Sequence, residues 1–131
     1  AVKVRVYRHE AATGRDPGLI YMHGGGFMKG DLDSSDPIAW GACAQTGATV
    51  VSVDYRLTPE HPFPAAFDDS LGVLRHVAAN PGEFGIDAAR LAASTWSALT
   101  GPVCWRRSIV LPVRRKRRCR CTCCGATMAW W

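Results

Sequence analysis

A histidine followed by three glycines stands in the stretch LIYMHGGGFMKG, residues 19–30. Because glycine has no Cβ, a substrate oxygen can approach the backbone N–H groups of such a loop closely. Bare N–H donors are typical of an oxyanion hole, where they meet the charge of a tetrahedral intermediate in acyl transfer. The pattern therefore indicates a loop that could stabilise negative charge, although a flexible turn without a role is an equally simple interpretation.

A phosphate-binding loop is the competing chemistry. It requires G-x-x-x-x-G-K-[ST], or G-x-G-x-x-G at the start of a helix. Neither pattern is present, since Lys29-Gly30 is followed by Asp31, and Asp33 and Asp36 add further negative charge. The residues around the glycines thus disfavour a phosphate ligand.

The segments around this loop predict an alternation of strands and helices. Residues 2–7 alternate apolar and basic side chains, residues 19–22 are apolar, and residues 48–55 are rich in β-branched side chains. This order favours an α/β layer fold with a largely parallel sheet, in which ligands bind at the carboxyl ends of the strands. The predicted segments are strands at 2–7, 19–22, 48–55 and 89–94, helices within 33–47 and 65–85, and loops at 9–18 and 56–64.

The first helix has recognisable end signals. Ser34, Ser35 or Asp36 is expected to cap it, Pro37 suits its first turn, and Gly47 is expected to end it.

Two longer motifs carry a family resemblance. HGGGFMKGDLDSSD and VVSVDYRLTPEHPFPAAFDDS together resemble the hormone-sensitive-lipase-like esterases of the α/β-hydrolase fold, from about Val4 to Ala92. The resemblance implies a partial α/β-hydrolase sheet, mostly parallel, with flanking helices. It also implies hydrolysis of short- to medium-chain acyl esters by a serine nucleophile, with no metal or organic cofactor and with a small acyl ester as the partner.

The resemblance assigns roles to the glycine loop. It implies that Gly24 and Gly25 donate to the oxyanion, that Gly26 gives room, and that His23 helps to hold the loop. The other polar residues are interpreted as structural. Asp54, Tyr55, Arg56, Glu60 and His61 are expected to fix the loop after their strand, and His9 and His76 are expected at the surface.

The nucleophile position departs from the family pattern. The expected G-x-S-x-G is absent, and Ser97 falls in the nucleophile register, followed by Ala98 as a further oxyanion donor. Thr95 and Leu99 occupy the glycine positions, and Ser94 is a weaker candidate. A serine nucleophile needs a histidine base and an acid, and residues 98–131 contain no Asp, Glu or His. The polypeptide is therefore expected to be a truncated and inactive half of such a domain.

Charge and cysteine content divide the chain near residue 97. Residues 1–97 carry 8 basic and 11 acidic side chains, whereas residues 98–131 carry 8 basic and none acidic, within a total of +5. We interpret 1–97 as the N-terminal part of an α/β-hydrolase domain and 98–131 as a basic, Cys/Trp-rich tail without regular structure. One account of the tail is a frameshift, a mis-joined exon or a sequencing error near residues 93–97, because an off-frame reading of GC-rich DNA would give this enrichment in Arg, Cys, Trp and Pro without acidic residues.

The other account is a genuine tail with its own role. The basic run 114–120 could bind phosphates of a nucleic acid or an anionic surface, and Cys119, Cys121, Cys123 and Cys124 could bind a soft metal. The cysteine spacing is not that of a zinc site, so no metal is predicted, and no specific nucleic acid is expected.

No signal peptide or membrane-spanning run is seen, which predicts a cytoplasmic location; the oligomeric state is left open.

Overall fold

A central β-sheet with helices on both faces organises the chain in the computed structural model, which describes residues 1–95, 118–121 and 127–129. The elements follow the predicted alternation of strands and helices. In chain order they are β1 (Lys3–His9), β2 (Asp16–Met22), α1 (Leu32–Thr46), β3 (Thr49–Asp54), α2 (Ala65–Ala79), α3 (Pro81–Phe84), β4 (Ile86–Thr95), β5 (Arg118–Cys121) and β6 (Thr127–Ala129).

The strands are arranged in the order β4-β2-β3-β1-β5-β6. Strand β2 pairs in parallel with β3 and with β4, whereas β1 pairs with β3 in the antiparallel direction. Met22, the last residue of β2, lies opposite both Val53 and Thr95. The carboxyl ends of three parallel strands therefore meet at one edge of the sheet, and the predicted α/β-hydrolase type of sheet is confirmed.

Two apolar clusters pack on opposite faces of this sheet. One contains Tyr7, Tyr21 and Val50 together with three residues of α1, and the other contains Ile20, Val51 and Val53 together with residues of α2 and α3. Successive residues of a strand point to opposite faces, so β2 and β3 contribute to both clusters. Strand β3 is consequently buried at five of its six positions.

Strand β2 begins at Asp16, inside the segment that was expected to be a loop. Pro17 and Gly18 suggest a turn, but the pairing of β2 with β4 shifts register between Asp16 and Gly18. A Cβ on Gly18 would lie 2.6 Å from Ile86 Cγ2 and 2.8 Å from Leu91 Cδ1. The glycine serves the close packing of two strands, which the local sequence does not reveal.

Helix α1 is capped by Asp31, and the prediction of Ser34, Ser35 or Asp36 was wrong. The Asp31 carboxylate accepts from the Ser34 backbone N–H at 2.7 Å, and Ser34 Oγ lies 3.0 Å from the Asp31 N–H, which forms a capping box. Because the helix begins at Leu32, Pro37 lies in its second turn, not in its first. Gly47 ends the helix in the left-handed conformation, at φ 72°, as predicted.

The sequence indicated no strand after residue 101, but the structure contains two. Strand β5 pairs with β1, with His9 opposite Cys119, and β6 pairs with β5, with Arg120 opposite Thr127. Both pairings are antiparallel. The sheet thus extends on the side of β1, away from the glycine loop.

Candidate active site

The glycine loop, residues 23–30, connects the carboxyl end of β2 to the start of α1. Gly25, Gly26 and Gly30 adopt positive φ angles of 126°, 64° and 111°. A Cβ on Gly25 would overlap the carbonyl oxygen of Lys29, and a Cβ on Gly30 would overlap the His23 ring. Glycine is therefore required at positions 25 and 30 by both conformation and space.

His23 is buried beneath this loop, with 4% of its surface exposed. Its Nδ1 lies 2.9 Å from the Gly24 carbonyl oxygen. Since a carbonyl can only accept a hydrogen bond, Nδ1 must carry the proton in this arrangement. The ring stacks on Tyr55 with centroids 4.2 Å apart and planes 13° apart, and the Tyr55 hydroxyl donates to the His23 carbonyl at 2.6 Å.

The middle of the glycine loop contacts the segment that follows β3. The Phe27 carbonyl accepts from the Thr58 backbone N–H at 2.8 Å and from Thr58 Oγ1 at 3.2 Å. Phe27 itself has a φ of 63°. The side chains of Phe27 and Met28 are 59% and 68% exposed, so an apolar surface borders the glycines.

The proline loop, residues 56–64, is fixed to α2 through Arg56. Asp69 accepts from the Arg56 backbone N–H at 3.0 Å and from Nε and Nη2 at 2.9 Å each. These hydrogen bonds from Arg56 hold the pKa of Asp69 below its usual range. Of the three residues predicted to fix this loop, Arg56 does so. Tyr55 instead bonds to His23 of the glycine loop, and the Asp54 side chain has no hydrogen bond to the residues described.

Two other residues of the proline loop do not behave as predicted. Glu60 and His61 are exposed, and their side chains form no hydrogen bond with any residue of the segments described. The backbone of His61 instead donates to the Leu57 carbonyl at 2.9 Å. The expectation that these two side chains fix the loop by hydrogen bonds was therefore wrong, because backbone turns and Arg56 do so.

The N–H groups of Gly24 and Gly25 are available as donors. Neither donates to an acceptor within residues 1–95, and Gly24 is exposed while Gly25 is half-buried. Thr95 lies opposite Met22, so the chain leaves β4 beside the start of the glycine loop. Ser97 and Ala98 follow within three residues, but both lie outside the described residues, and their roles stay predictions.

A cavity of about 490 Å³ lies between the glycine loop and the start of α1. Its lining includes Gly24, Gly25, Lys29 and two buried side chains, His23 and Tyr21. The Nε2 atom of His23 and the hydroxyl of Tyr21 have no hydrogen-bond partner among the residues described. Burial raises the pKa of Tyr21, so its hydroxyl keeps its proton at neutral pH.

The remaining histidines were expected at the surface, and His9 contradicts this. It is 9% exposed, and its Nδ1 accepts from the Ala11 N–H at 3.1 Å. Burial follows from the position of His9 on β1, between β3 and β5. His76 is exposed, as predicted, with Nε2 at 3.7 Å from Glu83.

Within the basic tail the structure describes the backbone of β5 and β6, and the phosphate-binding and metal-binding accounts of the tail stay hypotheses. Within the described segments, no group of three or more His, Cys, Asp or Glu residues is placed to hold a metal ion. None of the helices in those segments combines the length and the apolarity that crossing a bilayer requires.

Comparison with known proteins gives consistent matches over the same region. A family model described as alpha/beta hydrolase fold matches residues 19–98. The carboxylesterase NlhH of Mycobacterium tuberculosis is 46% identical over 97 residues, which cover 74% of this chain and 30% of that protein. An ethyl acetate hydrolase of Pseudomonas putida is 45% identical over 74 residues, covering 56% and 23% of the two chains.

Solved structures match equally well. The esterase of Pyrobaculum calidifontis superimposes with a TM-score of 0.69 at 40% identity, covering 72% of this chain and 30% of that one. The esterase LipW of Mycobacterium marinum gives a TM-score of 0.68 at 45% identity, covering 72% and 29%. This chain therefore spans about a third of the length of the relatives that it matches.

Proposed function

This chain belongs to the α/β-hydrolase fold family, and on that basis we propose that it carries the oxyanion-hole portion of a carboxylic-ester hydrolase. The observation that carries the proposal is the pair of N–H groups of Gly24 and Gly25 at the carboxyl end of β2, which have no acceptor among residues 1–95. Proteins of similar sequence are named as carboxylesterases and as an ethyl acetate hydrolase, which favours an ester carbonyl as the ligand.

In this proposal Gly24 and Gly25 donate to the oxygen that becomes negatively charged when an ester carbonyl is attacked. Loss of one such donor raises the barrier by about 3–4 kcal/mol. Gly26 leaves room beside them, and His23 supports the loop from beneath. The exposed Phe27 and Met28 offer an apolar surface beside the donors for a short- to medium-chain acyl group.

The nucleophile in this proposal is Ser97, with the Ala98 N–H as a third donor. The pairing of Thr95 with Met22 supports this choice, because it ends β4 beside the start of the glycine loop. Residues 98–131 contain no Asp, Glu or His to serve as base and acid. Serine acyl transfer needs both, so we expect the 131-residue polypeptide by itself not to turn over esters.

Binding of butyrate, a carboxylate with the charge and the chain length of an acyl product, tests the donor site directly. We expect butyrate to shift the amide proton resonances of Gly24 and Gly25 downfield in a saturable manner in a ¹⁵N-labelled sample. 1-Butanol, which has the same chain without the charge, is the matched control and should leave both resonances in place. Absence of a saturable shift with butyrate would contradict the proposed oxyanion site.

Turnover of p-nitrophenyl butyrate tests the nucleophile and the missing base separately. We expect no hydrolysis above the buffer rate for the 131-residue chain or for Ser97→Ala. Hydrolysis that disappears in Ser97→Ala would support the esterase assignment and overturn the expectation of inactivity. Hydrolysis that survives in Ser97→Ala would show that Ser97 is not the nucleophile.

A further inference from the structure

Resting on the proposed function, we infer that Tyr55 is a positioning residue that aims both oxyanion donors, one directly and the other through His23. Neither Tyr55 nor His23 contacts the oxyanion in this arrangement. Each acts on the opposite side of the peptide group that carries a donor. The inference follows from two hydrogen bonds and from the planarity of the peptide group.

A planar trans peptide points its C=O and its N–H in opposite directions. Among the residues described, the cis peptide bonds are Thr58-Pro59 and Phe63-Pro64, so the bonds on either side of Gly24 are trans. The carbonyl of His23 and the N–H of Gly24 belong to one peptide group, and the carbonyl of Gly24 and the N–H of Gly25 belong to the next. Fixing each carbonyl therefore fixes the direction of the following N–H.

Both carbonyls are held from the buried side. Tyr55 donates to the His23 carbonyl at 2.6 Å, which turns the Gly24 N–H away from Tyr55. The protonated Nδ1 of His23 donates to the Gly24 carbonyl at 2.9 Å, which turns the Gly25 N–H away from the imidazole. The two donors thus face away from their supports, toward the side where neither has a protein acceptor in the segments described.

Tyr55 also fixes the orientation of the imidazole. The two rings stack at 4.2 Å, and the Tyr55 oxygen lies 3.2 Å from Nδ1. Burial, followed by the charge of Tyr21, raises the pKa of Tyr55 to about 12, so the hydroxyl keeps the proton that it donates. One side chain therefore constrains two consecutive peptide groups in a glycine segment that is otherwise free to rotate.

The protonation state of His23 tests this arrangement in the unmodified protein. We expect a long-range ¹H–¹⁵N spectrum to show a proton on Nδ1 of His23. A neutral ring with its proton on Nε2 would overturn the inference, because the Gly24 carbonyl would then face an atom that cannot donate. This measurement does not depend on the folding of any variant.

Tyr55→Phe tests the direct contact, with Tyr7→Phe as the matched control. Tyr7 is equally buried, and its hydroxyl donates to Asp36 at 2.7 Å on another part of the sheet. Each variant loses the hydrogen bond that its hydroxyl donates. We expect Tyr55→Phe, but not Tyr7→Phe, to shift the Gly24 and Gly25 amide resonances. Tyr55→Phe should also weaken butyrate binding about three- to tenfold.

In Tyr7→Phe, butyrate affinity should stay within about twofold of the unmodified protein, as expected when a lost hydrogen bond lies away from the site. Equal amide shifts and equal affinities in the two variants would overturn the role of Tyr55. If the unmodified protein does not bind butyrate, the proposed function fails. The His23 tautomer and the ligand-free shifts of Gly24 and Gly25 still decide whether Tyr55 aims these amides.

Discussion

The glycine loop and the proline loop follow neighbouring parallel strands, but they are held in opposite ways. The glycine loop has a backbone with wide freedom, and side chains from the segment after β3 bind it at two points, Tyr55 at His23 and Thr58 at Phe27. The proline loop contains three residues with a fixed φ, and one arginine binds its start to α2.

The two loops differ because, in the proposed function, only the glycine loop offers backbone N–H groups to a ligand. A loop that offers N–H groups to a ligand must leave them free of side chains and of internal acceptors, so these N–H groups cannot contribute to its stability. Its rigidity must come from groups on the other side of its peptide planes. A loop that offers no backbone donors can be made stiff by proline, at no cost to function.

Gly25→Ala should have the largest effect, because it removes the freedom on which the glycine loop depends. The new Cβ would overlap the Lys29 carbonyl at a φ of 126°. We expect the free energy of unfolding to fall by about 3 kcal/mol, or the loop to rearrange with loss of butyrate binding. Urea unfolding and the Gly24 amide shift measure the two outcomes.

Gly26→Ala is the control for this experiment. Gly26 has a φ of 64°, and a Cβ there meets no atom within 4 Å. Only the left-handed conformation is then penalised, by about 1 kcal/mol. Equal losses in the two variants would show that conformation, and not the overlap with Lys29, limits the loop.

Asp69→Asn should have an intermediate effect on the proline loop. The Asp69 side chain is 8% exposed and accepts three hydrogen bonds from Arg56. Since Asn retains one acceptor but no charge, we expect a loss of about 2 kcal/mol in the free energy of unfolding at pH 7. Asp68→Asn, an exposed change of the same type in the same helix, should lose much less.

The stabilisation by the Arg56–Asp69 pair should also depend on pH in a predictable direction. Arg56 lowers the pKa of Asp69 from its ordinary value of 3.8. The stabilisation is therefore fully present above pH 3.8 and is lost as the pH falls through the lowered pKa. Urea titrations between pH 7 and pH 2 should show the difference from Asp69→Asn narrowing only in acid. A difference that is unchanged at pH 2 would rule out the charged pair as its origin.

Thr58→Val should have the smallest effect, although it affects the contact between the two loops. It removes the 3.2 Å bond from Oγ1 to the Phe27 carbonyl but leaves the 2.8 Å bond from the backbone N–H. We expect a change within about 0.5 kcal/mol in unfolding free energy. A loss as large as that of Asp69→Asn would mean that the proline loop is the main support of the glycine loop.

Local sequence patterns were sufficient to predict those structural features whose physical cause lies within a few residues. The β-branched run of residues 48–55 predicted β3, observed at Thr49–Asp54, and Gly47 was correctly placed at the end of α1. The strand before the glycines likewise placed the glycine loop at the edge where parallel strands end. Propensity and glycine conformation act within a few residues, so a sequence reveals them.

Features set by distant partners were missed. The early start of β2 depends on Ile86 and Leu91, and the burial of His9 depends on β5, more than 100 residues away in the chain. In the candidate site, the glycines were found from sequence, but the stacking of Tyr55 on His23 joins residues 32 positions apart. The sequence showed only that a tyrosine follows directly after a buried strand. The contact between this tyrosine and His23 becomes visible only when the pairing of β2 with β3 is known.

The spatial order of the parallel strands has a consequence for synthesis on the ribosome. Strand β2 lies between β3 and β4, yet it emerges before both of them. One side of β2 can pair once residue 54 is available, whereas the other side must wait until residues 86–95 have followed α2 and α3. During that interval the strand that leads into the glycines has a row of unpaired backbone groups, which other chains could bind. The nascent chain is therefore open to mispairing next to its candidate catalytic loop.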